Sequence, residues 1–221
     1  MALIHLKWFG IRADCRIRSG FCESNEAMTI LFGKIAWVVL VTGWYAIRFP
    51  FERRAKQAAT EHSARDAGEW TRMWVSGTGL GIVPLVYLFT GWPAFADYSP
   101  SPIQIVAGTG VAVTALWMFR MTHRALGKFW SVSLDIRDGH RLVTGGIYGR
   151  LRHPMYSAFW LMAFAQALLL PNWFAGLAGF AGFGFLFFLR IGPEERMMEQ
   201  KFGQEYLSYK SRTNRIIPGV W

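Results

Sequence analysis

Formal charge is absent from several stretches of this chain that are long enough to cross a hydrocarbon core, which takes about 20 apolar residues as a helix. No Asp, Glu, Lys or Arg occurs from Met73 to Ala96, from Ser99 to Phe119, or from His153 to Leu189, and Pro171-Asn172 divides the last run in two. A further apolar stretch runs from Thr29 to Ile47, with Lys34 near its start, where a long side chain can snorkel to the headgroups. The expected fold is therefore all-α: a polytopic membrane protein with about five transmembrane helices, the last two forming a hairpin. Because each half of that hairpin is short, a re-entrant pair that does not fully cross is the alternative.

Charge placement then decides what the basic balance means. With 24 Lys and Arg against 14 Asp and Glu, the net charge of +10 could suit nucleic acid, an anionic membrane surface or an acidic substrate. The basic residues collect in the 48–72 loop (Arg48, Arg53, Arg54, Lys56, Arg65, Arg72) and in the 120–152 segment (Arg120, Arg124, Lys128, Arg137, Arg141, Arg150, Arg152). The connections Trp92 to Pro102 and Pro171-Asn172 have none. Lys and Arg favour short cytoplasmic loops, so both basic segments and the C-terminal tail are expected in the cytoplasm. The excess charge reports orientation and contact with membrane lipids, and no nucleic acid partner is expected.

Residues 1–27, with Lys7, Arg12, Arg16 and Arg18, are too interrupted by charge for a signal peptide and read as a poorly ordered extension. The rest divides into 28–122, holding helices 1 to 3, and 123–221, holding helices 4 and 5 and a C-terminal helix. Cys15 and Cys22 read as unpaired thiols, and His5, His62, His123, His140 and His153 show no metal-ligand spacing, so no metal is expected. Gly77-Thr78-Gly79-Leu80-Gly81 has the look of a nucleotide loop but lies inside an uncharged helix. Gly77 with Gly81, and Ala178 with Gly182, are read instead as small residues that let helices approach closely.

Polar and turn residues dominate from Ser131 to Tyr156. Pro154 follows His153 at the expected start of the fourth helix, where proline is tolerated at the first position. His153 and Tyr156 then lie at a helix entrance that offers N–H donors to polar ligand groups. After the fifth span, Gly192-Pro193 is expected to break the helix, and Glu194 and Glu195 would open a new one, where carboxylates suit the helix dipole. Met198, Phe202, Tyr206 and Tyr209 recur at helical spacing and would pack that helix on the membrane surface or over the loop.

Three motifs in order, Gly139 to Tyr148 (GHRLVTGGIY), Arg152 to Tyr156 (RHPMY) and Arg190 to Tyr209 (RxxPEE, then FGxEYxxY), resemble the isoprenylcysteine carboxyl methyltransferase family of membrane enzymes. The resemblance covers Trp130 to the C-terminus in detail and the remainder by span count. It implies S-adenosylmethionine as cofactor, bound in a cytoplasmic pocket made by the loop before helix 4 and the C-terminal helix. The implied contacts are His140, Arg141, Leu142, Val143, Tyr148, His153, Pro154, Met155, Tyr156 and Glu194, with Arg190 holding the acceptor carboxylate as the catalytic residue. Ser133 stands where the eukaryotic enzymes carry an amide side chain. The implied reaction methylates the carboxylate of an isoprenylcysteine-like, lipid-linked acceptor. Methylation of a small thiol or a phospholipid amine is the alternative within the same superfamily.

Overall fold

The computed structural model describes residues 19–56, 60–63, 67–127, 130, 135–137 and 141–219. Helix α1 (Ser19–Lys56) begins inside the stretch expected as an extension, and residues 1–18 lie outside the described residues. A composite helix follows: α2 (Ala67–Gly77), a π-helical turn over Thr78–Ile82, and α3 (Val83–Thr90). Helices α4 (Pro102–Leu126), α5 (Pro154–Leu169), α6 (Trp173–Phe202) and α7 (Gln204–Arg212) complete the element order. A short antiparallel pair, β1 (Thr60–Ser63) with β2 (Asp135–Arg137), joins the two basic segments.

Among the described residues, four helical stretches are long and apolar enough to cross a membrane: Ser24–Ala55, Gly68–Thr90, Pro102–Leu126 and Trp173–Phe202. The protein is thus an all-α integral membrane protein. The remaining expected span, α5, has 16 residues, about 24 Å at 1.5 Å per residue. It is short because it is central, with Ala158, Ala163, Ala165 and Leu169 fully buried between α1, α4 and α6. Lipid-facing positions elsewhere carry large apolar side chains such as Phe32, Phe89, Val106, Trp117 and Phe188.

Capping explains where the hairpin elements begin. Ser101 accepts from the Ile103 amide with Pro102 at the first turn of α4, and the Asn172 side chain accepts from the Ala175 amide at 2.8 Å to open α6. Asn172 also donates to the Pro93 carbonyl and to Asp97, so the two Lys- and Arg-free connections meet at one end of the bundle. At the opposite end, the 150–153 segment bonds the C-terminal residues: Arg152 N to Asn214 O, His153 N to Arg215 O and Asn214 N to Arg150 O. The basic segments therefore share one end.

One expectation is corrected at Pro193. The fifth span was expected to stop there, but α6, 30 residues in all, continues through it to Phe202. Proline removes one backbone bond, a loss membrane helices tolerate when neighbouring groups compensate. Here Glu194 and Glu195, directly after it, are held from outside the helix. The break falls later, at Gly203, whose φ of +50° suits glycine. As a result Met198 and Phe202 lie on α6, while Tyr206 and Tyr209 are buried on α7.

The glycine reading also shifts. A Cβ on Gly79 would collide with the Ala178 carbonyl, and one on Gly182 would lie 2.7 Å from the Val75 carbonyl, whereas Gly77 and Gly81 face open space. The π turn supplies the reason, since its extra residue rotates Gly79 onto α6. In that register Val83 N–H bonds Thr78 O, and the next donor would be Pro84, which has none. Gln166 fills the gap: its Nε2 donates to Gly79 O at 3.0 Å and to Ala175 O at 2.8 Å, and its Oε1 accepts from Trp37 Nε1 at 3.3 Å. Gln166→Leu is expected to cost about 1–3 kcal/mol for the carbonyls it strands, and Gly79→Ala to destabilise where Gly77→Ala does not. Thermal unfolding of detergent-solubilised variants checks both.

Candidate active site

The entrance of α5 meets the C-terminal half of α6 at His153. Pro154 occupies the first helical position, and the His153 side chain makes no cap bond. The ring instead lies between two carboxylates, with Nδ1 3.7 Å from Glu194 Oε1 and Nε2 3.3 Å from Glu195 Oε1. Tyr156, stacked on His153 at 5.5 Å between centroids, donates its hydroxyl to Glu194 Oε2. Arg190 stands one helical turn before Glu194, its Nε 4.0 Å from Glu194 Oε2. Tyr148 is buried in the 3-10 turn Gly146–Gly149, and its carbonyl accepts from Tyr209 Oη at 2.7 Å. Burial raises the Tyr148 phenol well above its ordinary value, with the charge of Glu194 adding to the effect.

The structure thus gathers His153, Pro154, Tyr156, Glu194 and Arg190, with Tyr148 close behind. Arg141 is exposed, and Leu142 and Val143 are half-buried in the segment leading to the Tyr148 turn. Met155 points elsewhere and packs against the apolar cluster around α4 and α5. His140 and Ser133 lie outside the described residues.

Adjacent residues on a helix are about 100° apart, and the two glutamates accordingly do different work. Neither opens a new helix, the role expected from Pro193. Glu195 is 4% exposed and ion-pairs with Arg152 at 3.3 Å, Lys210 at 3.2 Å and Arg215 at 3.0 Å as well as meeting His153. Arg152 also donates to the carbonyls of Lys210 and Thr213. Glu195 therefore ties α6, the α5 entrance, α7 and the C-terminal segment together. By contrast, the Glu194 side chain keeps 26% of its surface exposed, leaving an open edge on an otherwise enclosed carboxylate.

A residue that motif reasoning missed stands opposite Arg190. Glu69, in the first turn of α2 and 1% exposed, forms an ion pair with Arg190 Nη1 at 3.2 Å and accepts from Arg72 Nη2 at 3.1 Å. The available signal was a lone acid at the start of an apolar helix with an arginine three residues on. Glu195 was visible only as half of a glutamate pair.

Below the polar cluster, on the stripe Phe159, Met162 and Gln166 that continues down α5 from Tyr156, a cavity of about 100 Å³ lies against Trp44 of α1 and the open glycines Gly77 and Gly81. Its lining is almost wholly apolar.

Two outcomes follow from the carboxylates. Burial opposes a charge on His153, but bonds to Glu194 and then Glu195 outweigh it and raise the imidazole above its ordinary value. Stability from this group is fully present below about pH 6.5 and is lost as pH rises through the raised value. Thermal midpoints should fall over that window, and His153→Gln should flatten the profile. Glu195→Gln, which strands buried cations, should cost about 3–5 kcal/mol and speed proteolysis at residues 213–219.

Comparison with known proteins places these residues in context. The profile of the isoprenylcysteine carboxyl methyltransferase (ICMT) family matches residues 107–200. Protein-S-isoprenylcysteine O-methyltransferase B of Arabidopsis thaliana is 38% identical over 97 residues, 42% of this chain and 49% of that protein. The Dictyostelium discoideum protein-S-isoprenylcysteine O-methyltransferase is 38% identical over 90 residues, 40% of this chain and 38% of that protein. The Homo sapiens protein of the same name is 33% identical over 83 residues, 38% of this chain and 29% of that protein. The matched region spans about half the length of these relatives or less. It begins within α4 and includes the His153, Tyr156, Arg190 and Glu194 cluster.

Proposed function

We propose, from the family match over residues 107–200, that this chain is an S-adenosylmethionine-dependent membrane methyltransferase that converts the carboxylate of an isoprenylcysteine-like, lipid-linked acceptor into a methyl ester. We assign the chemistry to residues 123–221 and place the active site at the cytoplasmic face, because the Arg- and Lys-rich segments lie at that end. The observation that carries the reading is the juxtaposition of Arg190 and Glu194, one helical turn apart on α6, within the region the family profile matches.

The donor set suits the cofactor. Its ribose hydroxyls and ammonium need acceptors, and Glu194 has an open edge. Its cationic centre suits aromatic faces, which Tyr148 and Tyr156 supply. When bound, S-adenosylmethionine supplies an electrophilic methyl group on a sulfonium. Arg190 orients the acceptor: a planar guanidinium can hold one carboxylate oxygen while leaving the other directed at the methyl carbon. The acceptor oxygen forms the new O–C bond as the C–S bond breaks. With a reference pKa of about 4, that carboxylate is already ionised at neutral pH, so no side chain has to remove a proton. Alignment is then the main contribution of the protein.

A small thiol or phospholipid amine is the alternative acceptor. The contact between Arg190 and Glu69 favours the carboxylate, since this guanidinium already engages a carboxylate at 3.2 Å. The test titrates S-adenosylhomocysteine onto detergent-solubilised protein and its Glu194→Ala variant. A loss of about tenfold or more, at least 1.4 kcal/mol, is expected. Labelled methyl transferred to an isoprenylated cysteine should be released by base as volatile methanol, and Arg190→Ala should abolish that product. Base-stable label would support the alternative.

A further inference from the structure

Arg190 is not waiting empty for an acceptor: its Nη1 lies 3.2 Å from Glu69 Oε1 on a different helix. We infer that Glu69 is the resident counter-ion of the clamp, occupying Arg190 between turnovers and yielding to the acceptor carboxylate. This rests on the carboxylate reading above and adds a residue to it.

The chemistry makes such a partner necessary. Methyl transfer turns an anionic acceptor into a neutral ester, while a guanidinium stays charged throughout. Arg190 has only 12% of its side chain exposed. Without another carboxylate opposite, ester formation would leave a poorly solvated cation beside a neutral product. Glu194 does not fill this place, since it is 4.0 Å from Arg190 Nε and engaged by Tyr156 and His153. Glu69 does, and the oxygens of its carboxylate divide the work. Oε2 is held by Arg72 at 3.1 Å and Oε1 meets Arg190. Giving up the Oε1 contact leaves Glu69 still paired with Arg72 and still in the first turn of α2, where the helix dipole favours an anion. The exchange therefore strands no charge on either side.

The same arrangement sets affinity. An acceptor carboxylate entering here has to displace Glu69 from Arg190 and lies near the anions Glu69 and Glu194, so its binding is weakened by competition and repulsion. A neutral ester feels neither. Removing the charge of Glu69 should therefore favour the acid selectively. A Glu69 that merely staples α2 to α6 would change stability and leave that selectivity unmoved.

The experiment measures dissociation constants of an isoprenylated N-acetylcysteine and of its methyl ester, each with S-adenosylhomocysteine present, for the wild type and Glu69→Gln in lipid nanodiscs. The acid should tighten roughly three- to tenfold while the ester is unchanged. In turnover, KM for the acid should fall by the same factor and kcat should drop, because the added attraction is strongest before charge is lost. Glu69→Asp, which keeps the charge but shortens its reach, should give an intermediate ratio and serves if the Gln variant does not fold. An unchanged or reduced acid-to-ester preference in a wild type that forms ester overturns this inference alone. A raised preference in a protein whose wild type forms no ester upholds the counter-ion and overturns methyl transfer.

Discussion

One buried carboxylate, Glu195, organises the end of the molecule that holds the candidate site. Its ion pairs with Arg152, Lys210 and Arg215, and its contact with His153, join α6 to three separate pieces of chain, the α5 entrance, α7 and the C-terminal segment. Burying that many charges is costly unless each is paired, so the cluster is an all-or-none arrangement. Its consequence for chemistry is indirect but strong. With the C-terminal segment bonded to Arg152 and His153 through the backbone, the entrance of α5 has one position. His153 and Tyr156 are then presented to Glu194 rather than to solvent. Glu195 frees its neighbour by absorbing the cations.

A second polar contact does the corresponding work within the membrane. Gln166 satisfies a carbonyl that the π turn and Pro84 leave without a helical donor, and it reaches Trp37 of α1 as well. The turn brings Gly79 against α6 and leaves Gly77 and Gly81 lining a void. An irregularity in one helix thus accompanies both the tight α2–α6 packing that carries Glu69 to Arg190 and the apolar space beside Phe159 and Met162.

Much of this was legible beforehand for a definite reason. Hydrocarbon excludes charge, so the charge-free stretches mark the helices, and the paired ends of the bundle follow the Lys and Arg content of the connections. His153, Tyr156, Arg190 and Glu194 could be grouped because motifs at the two open ends of a helical hairpin have to lie close together. Glu69 could not be grouped with them. It belongs to a helix remote in sequence, and an acid beside Arg72 reads as an ordinary local pair. Nor could spacing show that α6 runs through Pro193, because outside partners hold the residues that follow.

The sequence by itself determined an all-α membrane protein, which end of the bundle is basic, and which residues the motifs would supply, because hydrophobicity and motif order are properties of the chain alone. Tertiary structure decided pairing. Only the packed helices show that Arg190 already holds a carboxylate, that adjacent glutamates serve separate clusters, and that Gly79 rather than its neighbours makes the close contact. Those outcomes depend on which faces of distant helices meet, and a buried charge takes whichever partner that meeting provides.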